Sequence, residues 1–323
     1  MSFVARLLLA AAIMASSGAA MAQSWPTKPI HLIVPFAPGA VADITARTFA
    51  EELSKALGQS VVIDNKAGAG GAIGTAEAAR AAPDGYTLLY TSQGTMVFNM
   101  ALYARSGYDP VKDFEEVAIV SGASNVLVVP TESPLRTVSD VIAQAKAKPG
   151  ELTFSSGGAG TTQHMNAVLF ERATGVKMQH VPYRASMAGL MAVGSGEVAL
   201  GFFNTPLVIG LIRSGKLRGI AVTSASRSSL LPDVPTMMEQ GVKDYVFTSW
   251  SGFAVPKGTP PEIVARLNAE CIRITQLPAF REKMSAQAID MLPPTTPAEA
   301  GKMLRDDLAL WVPIIKAAGA AAE

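Results

Sequence analysis

A continuous apolar run, HLIVPF at 31–36, ends in a turn of small residues and passes into DITARTFAEELSKALG, where Ala46, Phe49, Ala50, Leu53 and Leu57 recur at helical spacing before Gly58. A run that is apolar at every position suits a strand covered on both faces, and a strand feeding directly into an amphipathic helix suits a parallel sheet. The pattern recurs: VVIDN (61–65), a glycine loop, a helix near 73–81, the turn Pro83-Asp84-Gly85 and the strand YTLLYTS. It restarts at TVSDVIAQAKAKPG, where Thr137 is the expected N-cap with Asp140 three residues on. The strand LTFSS, a glycine loop, a helix from about Thr161 to Thr174, a strand near 178–181, the strand EVALGFF, a helix capped by Thr205-Pro206 and the strand RGIAVTS follow. Thr259-Pro-Pro-Glu262 and Thr296-Pro-Ala-Glu299 read as capping boxes. This alternation predicts an α/β fold of parallel sheets covered by helices.

Two long extended stretches, VAIVSGASNVLVVP (117–130, with a Gly-Ala-Ser break) and DYVFTSWSGFAVP (244–256), read as crossings between domains. The expected division is one domain at 25–123 plus 250–323 and another at 124–249. About 300 residues exceed one ordinary core, in agreement.

The first 22 residues read as an export signal. Arg6 is their single charge, LLLAAAIMA is too short a core for a stable anchor, and Ala20-Met21-Ala22 is a cleavage signal before Gln23. The expected destination is the periplasm; a retained anchor is the alternative. Without Arg6 the 27 basic residues become 26, against 26 acidic, so there is no basic excess for nucleic acid. Cys271 is alone, which excludes an intrachain disulfide and points to a buried helix residue. The three histidines, His31, His164 and His180, lack metal-ligand spacing, and neither metal nor cofactor is expected. The apolar stretch 189–212 is broken by Glu197, Asn204 and Pro206, and reads as helix, strand, helix rather than a membrane span.

Two strand-to-helix loops carry the functional signal. PFAPGAVAD (35–43) and SSGGAGTTQH (155–164) each place backbone N–H groups at a helix N-terminus, where the helix dipole is also positive. Such a terminus binds an anion without a charged side chain. The P-loop Lys is missing, which argues against a nucleotide; backbone donors with Thr161 and Thr162 suit a carboxylate. For either loop alone, plain turn geometry is the competing reading, with Asp43 as a simple N-cap. Two such loops, one per domain and facing across a cleft, favour the ligand. His164, one turn into its helix, is either a structural hydrogen-bonder or a donor to the carboxylate. Asn204, at the end of EVALGFF, is placed for ligand contact or capping. KAGAGGAIG (66–74) lacks the third glycine of a dinucleotide fingerprint, having Ile73, and reads as a loop at the site's edge. No G-x-S-x-G elbow is present, and the acids of GYDPVKDFEEV read as a solvated surface turn.

W-P-T-K-P-I, VPFAPG with Asp43, KAGAGGAIG, APDGYTLL, YDPVKDF, G-x-G-T-x-x-H at 158–164, HVPYR, GKLRGIAVTSASR, LPDVPTMMEQG and TSWSGFAVPKGTP occur in this order. Together they resemble the extracytoplasmic solute receptors of tripartite tricarboxylate transporters, the Bug family, over essentially the whole mature chain. The resemblance implies a two-domain type II periplasmic-binding-protein fold with a hinge and a central ligand cleft. It implies no enzymatic activity, and a small carboxylate ligand: a di- or tricarboxylate, an acidic amino acid or an aromatic acid. It implies delivery to a membrane permease of one large and one small subunit, driven by an ion gradient. The ligand-binding residues it implies are Phe36, Ala37, Pro38, Gly39, Asp43, Ser92, Gly158, Gly160, Thr161, His164 and Asn204. Departures from the family pattern are Ala40-Val41 after Gly39, Arg184-Ala185 after Pro-Tyr, and Phe203 before Asn204, which add apolar surface near the cleft.

The expected mechanism is hinge closure by a monomer: a carboxylate bridging both loops binds the closed form better and shifts the population towards it. The rival readings are a ligand sensor for a membrane signalling protein and a periplasmic enzyme on the same fold.

Overall fold

The run at 31–36 forms β1 (Ile30–Val34), and the helical pattern after it forms α1 (Val41–Leu57), closed by Gly58 in the left-handed region. The computed structural model describes residues 25–317 except Ala288; the expected export signal and its cleavage after Ala22 lie outside the described residues. Along the chain follow β2 (Val61–Asn65), α2 (Ala72–Ala79), β3 (Thr87–Ser92), a π-helical turn at Gly94–Phe98, α3 (Asn99–Leu102) and β4 (Phe114–Pro130). Then come α4 (Val138–Ala147), β5 (Thr153–Ser156), α5 (Thr162–Thr174), β6 (Gln179–Pro182), α6 (Ser186–Gly194), β7 (Leu200–Asn204), α7 (Thr205–Arg213) and β8 (Leu217–Val222). The chain continues through β9 (Thr248–Pro256), α8 (Pro261–Gln276), α9 (Pro278–Ser285), β10 (Asp290–Met291) and α10 (Pro297–Ala317).

The strands run in the order β2-β1-β3-β9-β4-β7-β5-β6, with β8 and β10 also on β4. β1 is parallel to β2 and β3, and β5 is parallel to β6 and β7. β4 is common to two lobes. It pairs antiparallel with β9 through Ser124, and from Asn125 onward with β7 and β8. The expected Gly-Ala-Ser break is not there: Gly122, Ala123 and Ser124 keep the ladder to β9, and the irregularities fall on either side, at 116–118 and 119–121 against β9 and at 127–128 against β8. A 17-residue strand absorbs its bends as bulges rather than by interrupting its hydrogen bonds.

One apolar core belongs to the first lobe, around Phe49, Leu53, Phe253 and Phe280, and one to the second, around Val126, Leu190 and Phe203. A third runs through both lobes. Its seam is a ring triad: Trp311 of α10 lies edge-on to Phe98, at 5.4 Å between centroids, and to Phe247, at 5.6 Å. Phe247 is held to the second lobe, its N–H donating to Thr223 O and its carbonyl accepting from Thr223 Oγ1.

Several local readings need correction. Helix α1 opens at Val41 with Ala40 as N-cap, so Asp43 is already inside the first turn. The capping boxes Thr137/Asp140 and Thr296/Glu299 form, but Thr259 turns its hydroxyl to Pro256 O and leaves α8 without a side-chain cap. Glu116, expected on a solvated turn, lies buried in β4 because the pleat carries it inward. Cys271 is buried in α8, as its helical setting implies.

Candidate functional site

Parallel strands in one lobe present their carboxyl ends at a common edge, and the loops leaving those ends meet at the cleft. In the first lobe these are the loop after β1 and the segment after β3, where Ser92 pairs with Ser251 on β9. In the second they are the loops after β5 and β7.

The loop after β1 is braced from within. Gly39 takes φ +80°, and its N–H donates to Asp43 Oδ2 at 2.9 Å. Arg47 holds both Asp43 oxygens, through Nε at 3.0 Å and Nη2 at 2.9 Å, and Asn65 Nδ2 donates to Oδ1 at 2.9 Å and to Phe36 O at 3.1 Å. Burial pushes the Asp43 carboxyl up, but the hydrogen bonds from Arg47, Gly39 and Asn65 outweigh it and hold it below the usual carboxylate value. Asp43 is thus an ionised strut neutralised by Arg47. Ala37 accepts from the Ala40 N–H, which folds Pro38 and Gly39 outward, both exposed.

The loop after β5 is braced in the same way. Gly157 N–H donates to Gln163 Oε1 at 2.6 Å, Gly158 N–H to Ser156 Oγ at 3.1 Å, and Gly160 N–H to His164 Nδ1 at 3.3 Å. Thr161 is the N-cap of α5: its Oγ1 donates to Gly158 O at 2.8 Å and accepts from the His164 N–H at 3.4 Å. The glycine N–H groups of 39, 158 and 160 are therefore not the unpaired ones that the sequence suggested. At the two helix tips, the N–H groups of Val41, Ala42 and Asp43 on one side and of Ala159, Thr162 and Gln163 on the other have no hydrogen-bond partner among the described residues, and neither do those of Phe36 and Ala37 in the first loop. A helix leaves its first-turn donors unpaired, and these are the positions where an anion adds hydrogen bonds instead of competing for them.

Beneath the second loop, His164 and His180 stack with ring centroids 4.1 Å apart and 9° between planes, and His180 stacks on Phe154 at 4.8 Å. Burial pushes His164 down to about 3, with His180 adding to the effect, and burial pushes His180 down to about 4. Both rings are neutral at neutral pH. Since His164 Nδ1 accepts from Gly160, the hydrogen-bond network assigns its proton to Nε2.

The KAGAGG loop reaches both of these loops. A Cβ on Gly71 would stand 3.2 Å from Pro35 O, and one on Gly70 2.5 Å from Ala159 O in the other lobe. Ser92 exchanges hydrogen bonds with Thr95 and sits two residues before Gly94, whose Cα packs on Gly160 O. Asn204 is set apart: its Nδ2 donates to Asn125 Oδ1 at 3.1 Å, and Thr205, next to it, lines a polar cavity of about 260 Å³ with Ser124, Ser226 and Arg227 of its own side and Ser285 of the first lobe. A larger cavity of about 530 Å³, lined by Thr131, Ser133, Ser195 and Lys216, lies at the opposite ends of β7 and β8 and has no part in the cleft.

Residues 45–320 match the family model described as the tripartite tricarboxylate transporter family receptor. The chain belongs to this receptor family. Protein BugT of Bordetella pertussis is 36% identical over 300 residues, covering 93% of this chain and 92% of that protein. Among solved structures, R. palustris Rpa4515 with adipate superposes at a TM-score of 0.86 with 34% identity, covering 91% of this chain and 98% of that one. MatC (Rpa3494) from Rhodopseudomonas palustris with bound malate superposes at 0.84 with 28% identity, covering 90% and 100%. The two-domain α/β periplasmic-binding fold expected from the resemblance is the fold of this receptor.

Members of the family are periplasmic solute receptors rather than enzymes. No helix among the described residues is long and apolar enough to cross a membrane. In this receptor Gly70, Gly94, Asn99 and Tyr103 are among the residues that bring the lobes together at the cleft; none was expected to bind ligand, although Gly70 lies in the KAGAGGAIG loop read as the site's edge. The glycines of KAGAGG were the available signal for Gly70. Nothing local marks Asn99 or Tyr103, which matter only because they meet the other lobe.

Proposed function

We propose that this receptor captures a small carboxylate between its lobes and delivers it to a tripartite tricarboxylate-type permease of one large and one small membrane subunit. The ligand class is a di- or tricarboxylate, an acidic amino acid or an aromatic acid. The observation that carries the reading is the pair of unpaired helix tips, Val41–Asp43 and Thr162–Gln163 with Ala159, contributed by opposite lobes. A carboxylate leaving water needs several donors at once, and these tips offer them without a full counter-charge. That related receptors hold adipate and malate supports the same class here.

On this reading the lobes divide at 123/124 and 249/250, a division supported by the change of partner along β4 between Ser124 and Asn125. Phe36, Ala37, Pro38, Gly39 and Asp43 shape one ligand loop, and Gly158, Gly160, Thr161 and His164 the other. Ser92 lies beside them, and Asn204 precedes Thr205, which lines the polar cavity. The receptor acts as a monomer, exported by cleavage after Ala22. A thermal-shift screen of residues 23–323 against carboxylates and their amides tests the assignment. At least one acid is expected to raise the unfolding temperature by several degrees while its amide does not; a screen in which no carboxylate does so would sink it.

A further inference from the structure

The Ala159–Gly160 peptide is gripped on both sides. Its N–H donates to His164 Nδ1 within the second lobe at 3.3 Å. Its oxygen, Ala159 O, accepts from Tyr103 Oη of the first lobe at 3.4 Å. Among the described residues this is the one hydrogen bond that joins the first lobe to the loop 157–161. The contact around it is close: Ala159 O lies against Gly70, and the buried Asn99 turns an otherwise unpartnered Oδ1 to the Gly160 Cα, 2.5 Å from where a Cβ would stand. Asn99 is fixed by its own lobe, its Nδ2 donating to Gly70 O and Tyr108 Oη, both at 3.3 Å. Tyr103 is the end of a rigid assembly that meets one peptide of the other lobe.

We propose that Tyr103 is a positioning residue for ligand capture: its hydroxyl engages Ala159 O only when the lobes close, and so fixes the loop whose Ala159, Thr162 and Gln163 N–H groups receive the carboxylate. Accepting at the oxygen of a peptide strengthens donation by the same peptide's N–H, so the contact also tightens the Gly160–His164 bond. Closure is thereby read at the ligand loop through one peptide unit, and a closed receptor holds its solute longer than an open one. Burial raises the Tyr103 hydroxyl, which keeps it a donor through the neutral range. This inference rests on the receptor function proposed above.

Tyr103→Phe removes the hydroxyl and keeps the ring. Adipate, malate, citrate, glutamate and benzoate serve as probes, and the tightest binder to the wild type is carried forward. The variant is expected to unfold at the wild-type temperature without ligand, because the open form lacks the contact. It is expected to release the bound acid at least fivefold faster, with association changed by less than twofold, and to show faster amide exchange at Gly160 in the acid-bound protein. A role in folding alone would move the ligand-free unfolding temperature and leave release unchanged. Wild-type release and Gly160 exchange in the variant would overturn the inference while leaving the receptor function standing. Failure of all five acids to bind the wild type would remove both.

Discussion

Gly94 of the first lobe packs its bare Cα against the carbonyl of Gly160 in the second, so closely that a Cβ at 94 would stand 2.9 Å from that oxygen. Gly160 needs its glycine for a positive φ; Gly94, which does not have one, is required only by the contact.

Gly94→Ala therefore separates closure from folding. Within a helical turn, Ala is favoured over Gly by about 0.5–1 kcal/mol, so the ligand-free protein is expected to be as stable as the wild type or slightly more so. In the closed form the added methyl overpacks the seam at a cost of about 1–3 kcal/mol, which corresponds to a loss of affinity of roughly tenfold or more. Isothermal titration with the acid selected above, alongside thermal unfolding, checks both halves.

Glu116 is buried in β4 with neither carboxyl oxygen hydrogen-bonded, and burial pushes it up to about 8. The folded protein thus binds a proton that the unfolded chain releases near 4.5. Its contribution is complete below about pH 4.5 and is lost as pH rises through 8, by about 4 kcal/mol at that end. Glu116→Gln has no such loss. The stability of the variant relative to wild type, measured by urea unfolding from pH 4.5 to 8, is expected to rise steadily with pH; a flat difference would contradict the buried carboxyl.

His164 acts in the opposite direction. Its folded value of about 3 lies below the ordinary 6.5, so its contribution is present above pH 6.5 and is lost as pH falls towards 3. Between pH 7 and pH 4 the loss amounts to about 3 kcal/mol. In His164→Gln, whose amide oxygen can still accept from Gly160, the acid limb of the stability profile is expected to flatten. The residual slope then belongs to His180, whose value is also lowered by burial, and to carboxylates held low by hydrogen bonds, Asp43 among them.

Asp307 of α10 ties the C-terminal helix to the cleft edge. Its Oδ2 accepts from Gln93 Nε2 at 2.8 Å and from Trp250 Nε1 at 2.6 Å. Asp307→Ala leaves both buried donors without an acceptor and is expected to cost roughly 2–4 kcal/mol. Asp307→Asn keeps one acceptor and is expected to fall between. Urea unfolding followed by tryptophan fluorescence reads the loss.

Much of the fold is written locally. The apolar run at 31–36 becomes the buried β1, VVIDN becomes the edge strand β2, and the Thr137/Asp140 box caps α4, because strand patterning and end-capping act over a few residues. The loops after β1 and β5 were likewise legible as glycine-bearing turns before helices. Their internal bracing was not. Asp43, Ser156, Gln163 and His164 satisfy the N–H groups that a sequence reading leaves open, and that depends on side-chain reach and rotamer rather than on residue type. Glu116 escaped for a related reason: an acid in a charged stretch reads as solvated until the strand pleat turns it inward.

By itself the sequence determined the alternation of strand and helix, the glycine-bearing loops that lead from strands into helices, and the membership of a receptor family. Only the tertiary structure decided which N–H groups remain unpaired, that Gly70 and Tyr103 bear on the Ala159–Gly160 peptide and Gly94 on the carbonyl of Gly160, and that Phe247 packs with Phe98 and Trp311. Periodicity and turn chemistry report each residue's surroundings within a few positions of the chain. The meeting of residues 56 apart, such as Tyr103 and Ala159, is set by how β4 and β9 carry one lobe against the other.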